Sequence, residues 1–126
     1  TKNSLRNLSK IFKNSNALLI DRGDLSRYIS IDKIPMIQEA IAKITNKKKK
    51  PLYVATNLLE TMINETNPTR AESHDIYSTL KQGVQGLVLA AETAIGKDPV
   101  QCVKFLKKCL YNFEKNRIKR LQSIVK

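Results

Sequence analysis

Three short stretches of the sequence combine the pattern of a buried strand with side chains that can bind an anion or a metal ion. In the first, residues 17–20 are apolar, and Arg22, Gly23 and Asp24 follow soon after. A glycine lets backbone N–H groups approach an anion closely, and a carboxylate is a hard oxygen ligand for Mg²⁺. We therefore predict an anion and metal site directly after this strand. The alternative for Asp24 is a cap on the following turn.

The other two stretches have the same layout. Residues 51–57 contain an apolar run that leads to Thr56, and residues 86–93 contain one that leads to Glu92. In α/β proteins, functional side chains gather at the carboxyl ends of parallel strands. Thr56 is therefore a second candidate, although a threonine at a strand end is also an ordinary edge residue. For Glu92 we favour a structural role, as an acceptor of hydrogen bonds from neighbouring loops.

Segments with helical periodicity separate the three strands. The first spans residues 4–13, and the second begins at Asp32 or Lys33 and ends near Asn46, with Pro35 in its first turn. The apolar positions that define the two stripes are Leu5, Leu8, Ile11 and Phe12, and then Ile34, Ile37, Ile41 and Ile44.

Two further helices have clear start signals. Thr69 and Glu72 have the spacing of a capping box, and this helix is expected to stop at Gly83. Asp98 followed by Pro99 predicts another helix start, with an apolar face that continues into a basic helical tail from about residue 114. The apolar residues assigned to these faces are Ile76 and Leu80, and then Val100, Val103, Leu106, Leu110 and Phe113.

The order of elements predicts an α/β fold. Strands that alternate with helices at this spacing form right-handed βαβ units with parallel strands. Three strands cannot close a barrel, and the outer two would expose unpaired backbone. We therefore expect residues 1–126 to form one partial barrel domain that is incomplete without further strands or a partner.

Composition restricts the classes of partner. The 126 residues carry 23 Lys and Arg against 11 Asp and Glu, a net charge of +12, which favours anionic ligands or surfaces over cationic ones. No apolar run is long enough to span a membrane, and no signal peptide is evident. Cys102 and Cys109 are expected to be reduced thiols on one helix face, which is typical of a cytoplasmic protein.

Four linked motifs resemble those of pyruvate kinase, in that family's order and spacing. They are RGDL at 22–25, VATNLLETMI at 54–63, PTRAES at 68–73 with Asp75, and AETAIGKDPV at 91–100. The resemblance extends to about residue 113. It implies that the strands are the sixth, seventh and eighth of a TIM-type (β/α)₈ barrel.

The resemblance also implies residue roles. Asp24 would be a ligand of Mg²⁺, Arg22 and Gly23 would hold phosphoenolpyruvate, and the hydroxyl of Thr56 would contact the substrate and help to deliver the proton. The family's K⁺ site and nucleotide-binding residues would lie on strands outside this chain. A lysine and a glutamate of the fifth strand would also lie outside it, so we expect this chain alone to be inactive.

Within the matched region the chain departs from the family at several positions. Asp21 stands where the family has a small alanine, which would place a negative charge beside the anion site if its side chain points there. The other replacements are Ser26 for Gly, Tyr28 for Glu, Asn57 for Gln, and Ala90-Ala91 for Ser-Gly.

Two functions are consistent with these features. The first is part of a glycolytic phosphotransferase that becomes active when another chain, a second copy or the remainder of a longer protein supplies the missing strands. The second is a non-catalytic relative that serves as a basic module for binding protein or nucleic acid. A shared fold does not by itself decide between them.

Overall fold

A computed structural model of the chain describes residues 10–125. These residues divide into two compact units. The first runs to Ala55 and takes in Gln82–Val88, and the second comprises Thr56–Lys81 and the residues from Leu89 onward.

The first unit contains a parallel sheet. Its strands are β1 (Leu18–Asp21), β2 (Leu52–Ala55) and β3 (Gly86–Val88), in the order β1-β2-β3. Ile20 pairs with Val54, and Val54 with Leu87. All three predicted strands and their parallel orientation are confirmed, and β3 is shorter than its apolar run.

One face of the sheet is covered, and the other is partly exposed, although Ala55 on that face is buried. Ile20, Leu52 and Val54 are buried in a cluster with Ala42. The alternate residues of the strands point to the opposite face, because successive side chains of a strand alternate. On that face the exposed fractions are 58% for Leu19, 39% for Tyr53 and 42% for Val88.

The helix that covers the sheet is α2. A helical turn, α1 (Arg22–Leu25), precedes it, and a 3₁₀ turn (Ile31–Lys33) leads directly into α2 (Ile34–Lys47), with proline in its first turn as predicted. The predicted face of α2 is partly wrong: the buried residues are Ile34, Gln38, Ala42 and Thr45, whereas Ile44 is 42% exposed.

The second unit is helical. A 3₁₀ turn (Glu60–Ile63) precedes α3 (Arg70–Lys81). The predicted capping box is confirmed, because the Glu72 N–H donates to Thr69 Oγ1 at 3.1 Å and the Thr69 N–H donates to Glu72 Oε1 at 2.9 Å. Glu72 Oε2 also accepts a 2.9 Å hydrogen bond from the N–H of Thr61, which ties the 3₁₀ turn to α3.

A short helix, α4 (Ala91–Ala94), and a 27-residue helix, α5 (Pro99–Val125), complete this unit. Asp98 caps α5 as predicted, since its Oδ1 accepts from the N–H of Gln101 at 3.1 Å. The predicted apolar face of α5 is partly wrong. Cys102 and Leu106 are its buried residues, and the exposed fractions of Val100, Val103 and Leu110 are 62%, 44% and 38%.

The first predicted helix falls partly outside the described residues. Residues 10–14 are helical and Phe12 is buried, whereas Leu5 and Leu8 lie outside the described range. Across residues 10–125, no helix combines the length and the apolar character needed to cross a bilayer.

Candidate active site

The predicted anion and metal site begins directly after β1, as a single turn of helix. Asp21 caps this turn, because its Oδ1 accepts a 3.1 Å hydrogen bond from the N–H of Asp24. Aspartate is a favoured residue at a helix N-cap since its carboxylate satisfies an otherwise unpaired N–H. Asp21 is therefore the cap of α1, and the alternative role of Asp24, as a cap on the turn that follows it, stays a prediction.

Arg22 and Gly23 lie inside this turn. Arg22 has 9% of its surface exposed, so its guanidinium is largely removed from water. The Gly23 carbonyl accepts a hydrogen bond from the Ser26 hydroxyl at 2.7 Å, and the Ser26 N–H donates to the Arg22 carbonyl at 3.0 Å. These two bonds close the turn and fix the backbone on which Asp24 sits.

The side chain of Asp24 is open to solvent. Its exposed fraction is 67%, and Arg27 Nη1 lies 3.8 Å from Asp24 Oδ1 with 75% of its own side chain exposed. An exposed pair at this distance contributes little to stability and rearranges readily. The carboxylate is therefore accessible to a ligand.

The donor set suits a magnesium ion in part. Mg²⁺ is usually held by one or two carboxylates together with water and substrate phosphate oxygens, and Asp24 offers one such carboxylate. Among residues 10–125, no group of three or more His, Cys, Asp or Glu side chains gathers at one place. Asp24 fits the ion as one of its ligands, and the remaining ligands have to come from substrate, water or residues beyond this part of the chain.

Thr56 follows β2 directly and has an unusual backbone. Its φ is +69°, and that of Asn57 is +55°, so two consecutive residues are left-handed. For a β-branched residue this conformation is a genuine outlier that costs of order 1–3 kcal/mol. Such strain concentrates at functional sites, which strengthens the case for Thr56 as a site residue.

The side chains that follow β3 form hydrogen bonds to nearby backbone groups. Glu92 has 1% of its surface exposed, and its Oε1 accepts a 2.7 Å hydrogen bond from the N–H of Ala90. The Thr93 hydroxyl donates to the carbonyl of the same residue at 3.0 Å. The sequence predicted that a neighbouring loop donates to Glu92, whereas the donor, Ala90, belongs to the same segment. The side chains of Glu92 and Thr93 together fix the start of α4.

All three predicted strand ends lie side by side in the sheet. Asp21 pairs with Ala55, the last residues of β1 and β2, and Ala55 also pairs with Val88, the last residue of β3. Along the chain, Arg22 follows Asp21 and Thr56 follows Ala55.

Sequence reasoning missed that Asp21 caps α1, although an aspartate three residues before Asp24 is the spacing of an N-cap bond. No feature of the sequence indicated that the backbone of Thr56 is left-handed.

Comparison with known proteins decides the family. A family model described as "Pyruvate kinase, barrel domain" matches residues 1–103. The chain belongs to the pyruvate kinase family. The order of β1, β2 and β3 and the motifs at their ends are thereby those of a pyruvate kinase barrel, as the sequence predicted.

Curated relatives and a solved structure agree with this membership. Pyruvate kinase from Thermotoga maritima is 42% identical over 115 residues, which are 91% of this chain and 25% of that protein. Pyruvate kinase from Pyrobaculum aerophilum is 39% identical over 114 residues, 90% of this chain and 25% of that protein. A crystal structure of a pyruvate kinase from Cryptosporidium parvum has a TM-score of 0.83 and 32% identity, and covers 86% of this chain and 22% of that one.

The chain therefore spans about a quarter of the length of the curated relatives that it matches. It is a partial pyruvate-kinase-type chain with three parallel strands and flanking helices. The comparisons do not favour the alternative of a non-catalytic binding module.

Proposed function

We propose that this chain supplies part of a pyruvate-kinase-type phosphotransferase. The reaction moves the phosphoryl group of phosphoenolpyruvate to ADP, and takes up a proton at the enolate carbon, to give pyruvate and ATP. In this proposal the chain has no activity alone, because the lysine, the second carboxylate and the nucleotide-binding residues come from the rest of the barrel.

The observation that carries the proposal is the helical turn after β1. It presents an accessible Asp24 on a backbone fixed by Asp21 and Ser26, at the carboxyl end of a parallel strand. That end of the sheet is where barrel enzymes hold their substrates. Residues 1–103, which include this turn and Thr56, match the pyruvate kinase barrel.

Each site residue has a role in this proposal. Asp24 is a ligand of Mg²⁺, and the ion neutralises charge on the phosphoryl oxygens when it is bound. Arg22 and Gly23 hold the substrate. Thr56 contacts the substrate through its hydroxyl and helps to deliver the proton. The family's K⁺ would bind to residues outside this chain.

The exposed face of the sheet supports the proposal that further strands of a barrel pack against this chain. Leu19, Tyr53 and Val88 lie on this face with 39–58% of their surfaces exposed, and β1 and β3 are the outer strands of the sheet among the described residues. Outer strands present unpaired N–H and C=O groups to any further strand. We infer that the rest of a barrel, from a longer form of this protein, another chain or a second copy, pairs with these strands and covers this face.

The two free thiols fit a reducing compartment. Cys102 is buried and Cys109 is half-buried, and neither forms a disulfide. Disulfides are rare in the cytosol, where thiols are kept reduced. We propose a cytoplasmic location on this basis.

A chimera tests the proposal. The segment of the Thermotoga maritima relative that aligns with this chain is replaced by this chain, and pyruvate formation from phosphoenolpyruvate and ADP is measured with and without Mg²⁺. We expect Mg²⁺-dependent turnover, and a loss of about a hundredfold or more in Asp24→Asn because a metal ligand that stabilises the transition state is removed.

Asp32→Asn is the matched control, since Asp32 is also an exposed aspartate and lies in the 3₁₀ turn before α2. It should leave turnover unchanged. A folded chimera without activity, or one in which Asp24→Asn and Asp32→Asn behave alike, would refute the proposal.

A further inference from the structure

A groove lies between the C-terminal end of α3 and the second half of α5. Its volume is about 290 Å³. We call it the α3–α5 groove and define it by these lining residues: Tyr77 and Lys81 of α3, and Phe113, Asn116, Arg117, Arg120, Leu121 and Ile124 of α5. The proposed phosphotransfer site uses none of these residues.

The floor of the α3–α5 groove is apolar. Tyr77 and Phe113 form one end, with ring centroids 5.9 Å apart in an edge-on arrangement. Leu121 and Ile124 continue the floor and have 51% and 78% of their surfaces exposed. On α5, Phe113, Leu121 and Ile124 share one helix face, and the basic lining residues of this helix lie between them on the same face.

The lining of the groove is also positive. α5 carries seven Lys and Arg residues between positions 104 and 120 and one acid, Glu114. Glu114 accepts hydrogen bonds of 2.8 and 3.0 Å from Arg117, so it offsets that charge. Within residues 10–125, no ion pair or side-chain hydrogen bond engages Lys81 or Arg120, and both line the groove.

We propose that the α3–α5 groove binds an acidic amphipathic helix of a partner protein. From Phe113 to Ile124 the groove follows about three turns of α5, roughly 16 Å, which matches a partner helix with apolar residues at i, i+4, i+7 and i+11. Carboxylates that flank those anchors would pair with Lys81 and Arg120. This surface shares no residue with the phosphotransfer site and goes beyond the proposed function.

The shape and the charge of the groove distinguish this occupant from others. Nucleic acid would bind through phosphates and would leave the apolar floor without a partner. A bilayer surface accepts a convex apolar face, whereas this floor is concave. A second copy carries the same net charge of +12, which opposes association through this basic surface.

Fluorescence anisotropy with a labelled synthetic peptide tests the proposal on the 126-residue chain. The probe is a helix of about 15 residues with leucine at i, i+4, i+7 and i+11 and glutamate at the flanking positions. We expect saturable binding, and binding at least about tenfold weaker for a peptide of the same composition in scrambled order.

Two matched pairs of variants locate the binding. Leu121 lines the groove and Ile118 does not, although their exposed fractions are 51% and 50%. We expect Leu121→Ala to weaken binding about tenfold and Ile118→Ala less than about twofold. For charge, Arg120→Glu should weaken binding about tenfold, while Lys119→Glu, which makes the same change outside the groove lining, should have a small effect.

Three results would overturn the proposal. They are no saturable binding of the ordered peptide, equal losses in the lining and control variants, and tighter binding to single-stranded RNA or to phosphatidylserine vesicles than to the peptide. Circular dichroism of every variant shows whether α5 remains helical, so that a loss of fold is not mistaken for a loss of contact.

Discussion

Among residues 10–125, Thr56 has the largest positive φ of any residue other than glycine, and its conformation is open to a direct test. At φ +69° its Cβ crowds the backbone, and only glycine adopts this region without cost. We expect Thr56→Gly to be more stable than Thr56→Ala by about 1 kcal/mol, because both lose the hydroxyl and they differ only at Cβ. Urea unfolding measures the difference.

A Thr56→Gly variant less stable than Thr56→Ala would contradict the left-handed assignment. If the variant is more stable than the wild-type chain as well, the threonine is retained at the expense of stability. That outcome would fit a functional role for its hydroxyl.

The two thiols should differ in reactivity. Burial, and then the negative charge of Glu92, raise the pKa of the Cys102 thiol, and burial also raises the pKa of Cys109. A raised pKa lowers the fraction of reactive thiolate at neutral pH. Cys102 is fully buried, with its Sγ 3.9 Å from Met62 Sδ, whereas Cys109 is half-buried.

We therefore expect iodoacetamide to label Cys109 first at pH 8, and both thiols more slowly than a free peptide thiol. Mass spectrometry of the peptides measures the rates, and in guanidinium chloride the two cysteines should react alike. Labelling of Cys102 at the rate of the peptide thiol in the native chain would show that its surroundings are open.

At the scale of elements, the sequence predicted most of the fold. The strands, the capping box of α3 and the Asp98 cap of α5 follow from short-range patterns, because each rests on residues that are near one another in the chain. The position of Thr56 beside Asn57 at the end of β2 also followed from sequence, but their left-handed backbone did not.

The buried faces of helices were harder to predict, and α2 shows the reason. Gln38 and Thr45 are buried because their polar groups are satisfied: Gln38 Nε2 donates to Gln82 Oε1 at 3.0 Å, and Thr45 Oγ1 donates to the Ala42 carbonyl at 3.0 Å. A prediction based on the spacing of apolar residues places these two polar residues on the exposed face of the helix. The Gln82 contact also depends on a residue 44 positions away, which local periodicity cannot anticipate.

The pairing of β2 with β3 gives a prediction of its own. A Cβ added to Gly86 would lie 2.6 Å from Cδ1 of the Tyr53 ring, so the ring lies across the glycine on the exposed sheet face. We expect Gly86→Ala to destabilise the chain by about 1–3 kcal/mol in urea unfolding, because the ring or the strand must shift.

In a Tyr53→Ala background the clash is removed, and the effect of Gly86→Ala should then be close to zero or stabilising. An equal cost in both backgrounds would mean that the ring does not lie over Gly86.

At the scale of the whole molecule, the three-stranded sheet is the feature with the largest consequence. The chain spans about a quarter of the length of the pyruvate kinases that it matches. Its sheet leaves Leu19, Tyr53 and Val88 exposed on one face. Exposed strand edges and an apolar face favour pairing with further strands. The same feature explains why phosphotransfer is proposed for an assembly and not for this chain alone.

The native mass of the 126-residue chain in solution, determined by sedimentation equilibrium at micromolar concentration, tests this central claim most directly. We predict a species heavier than the 14.3 kDa of one chain. Leu19→Lys on the exposed sheet face should reduce the association, while Ile31→Lys, at a residue 81% exposed outside the sheet, should not. A folded 14.3 kDa monomer at every concentration would contradict the account.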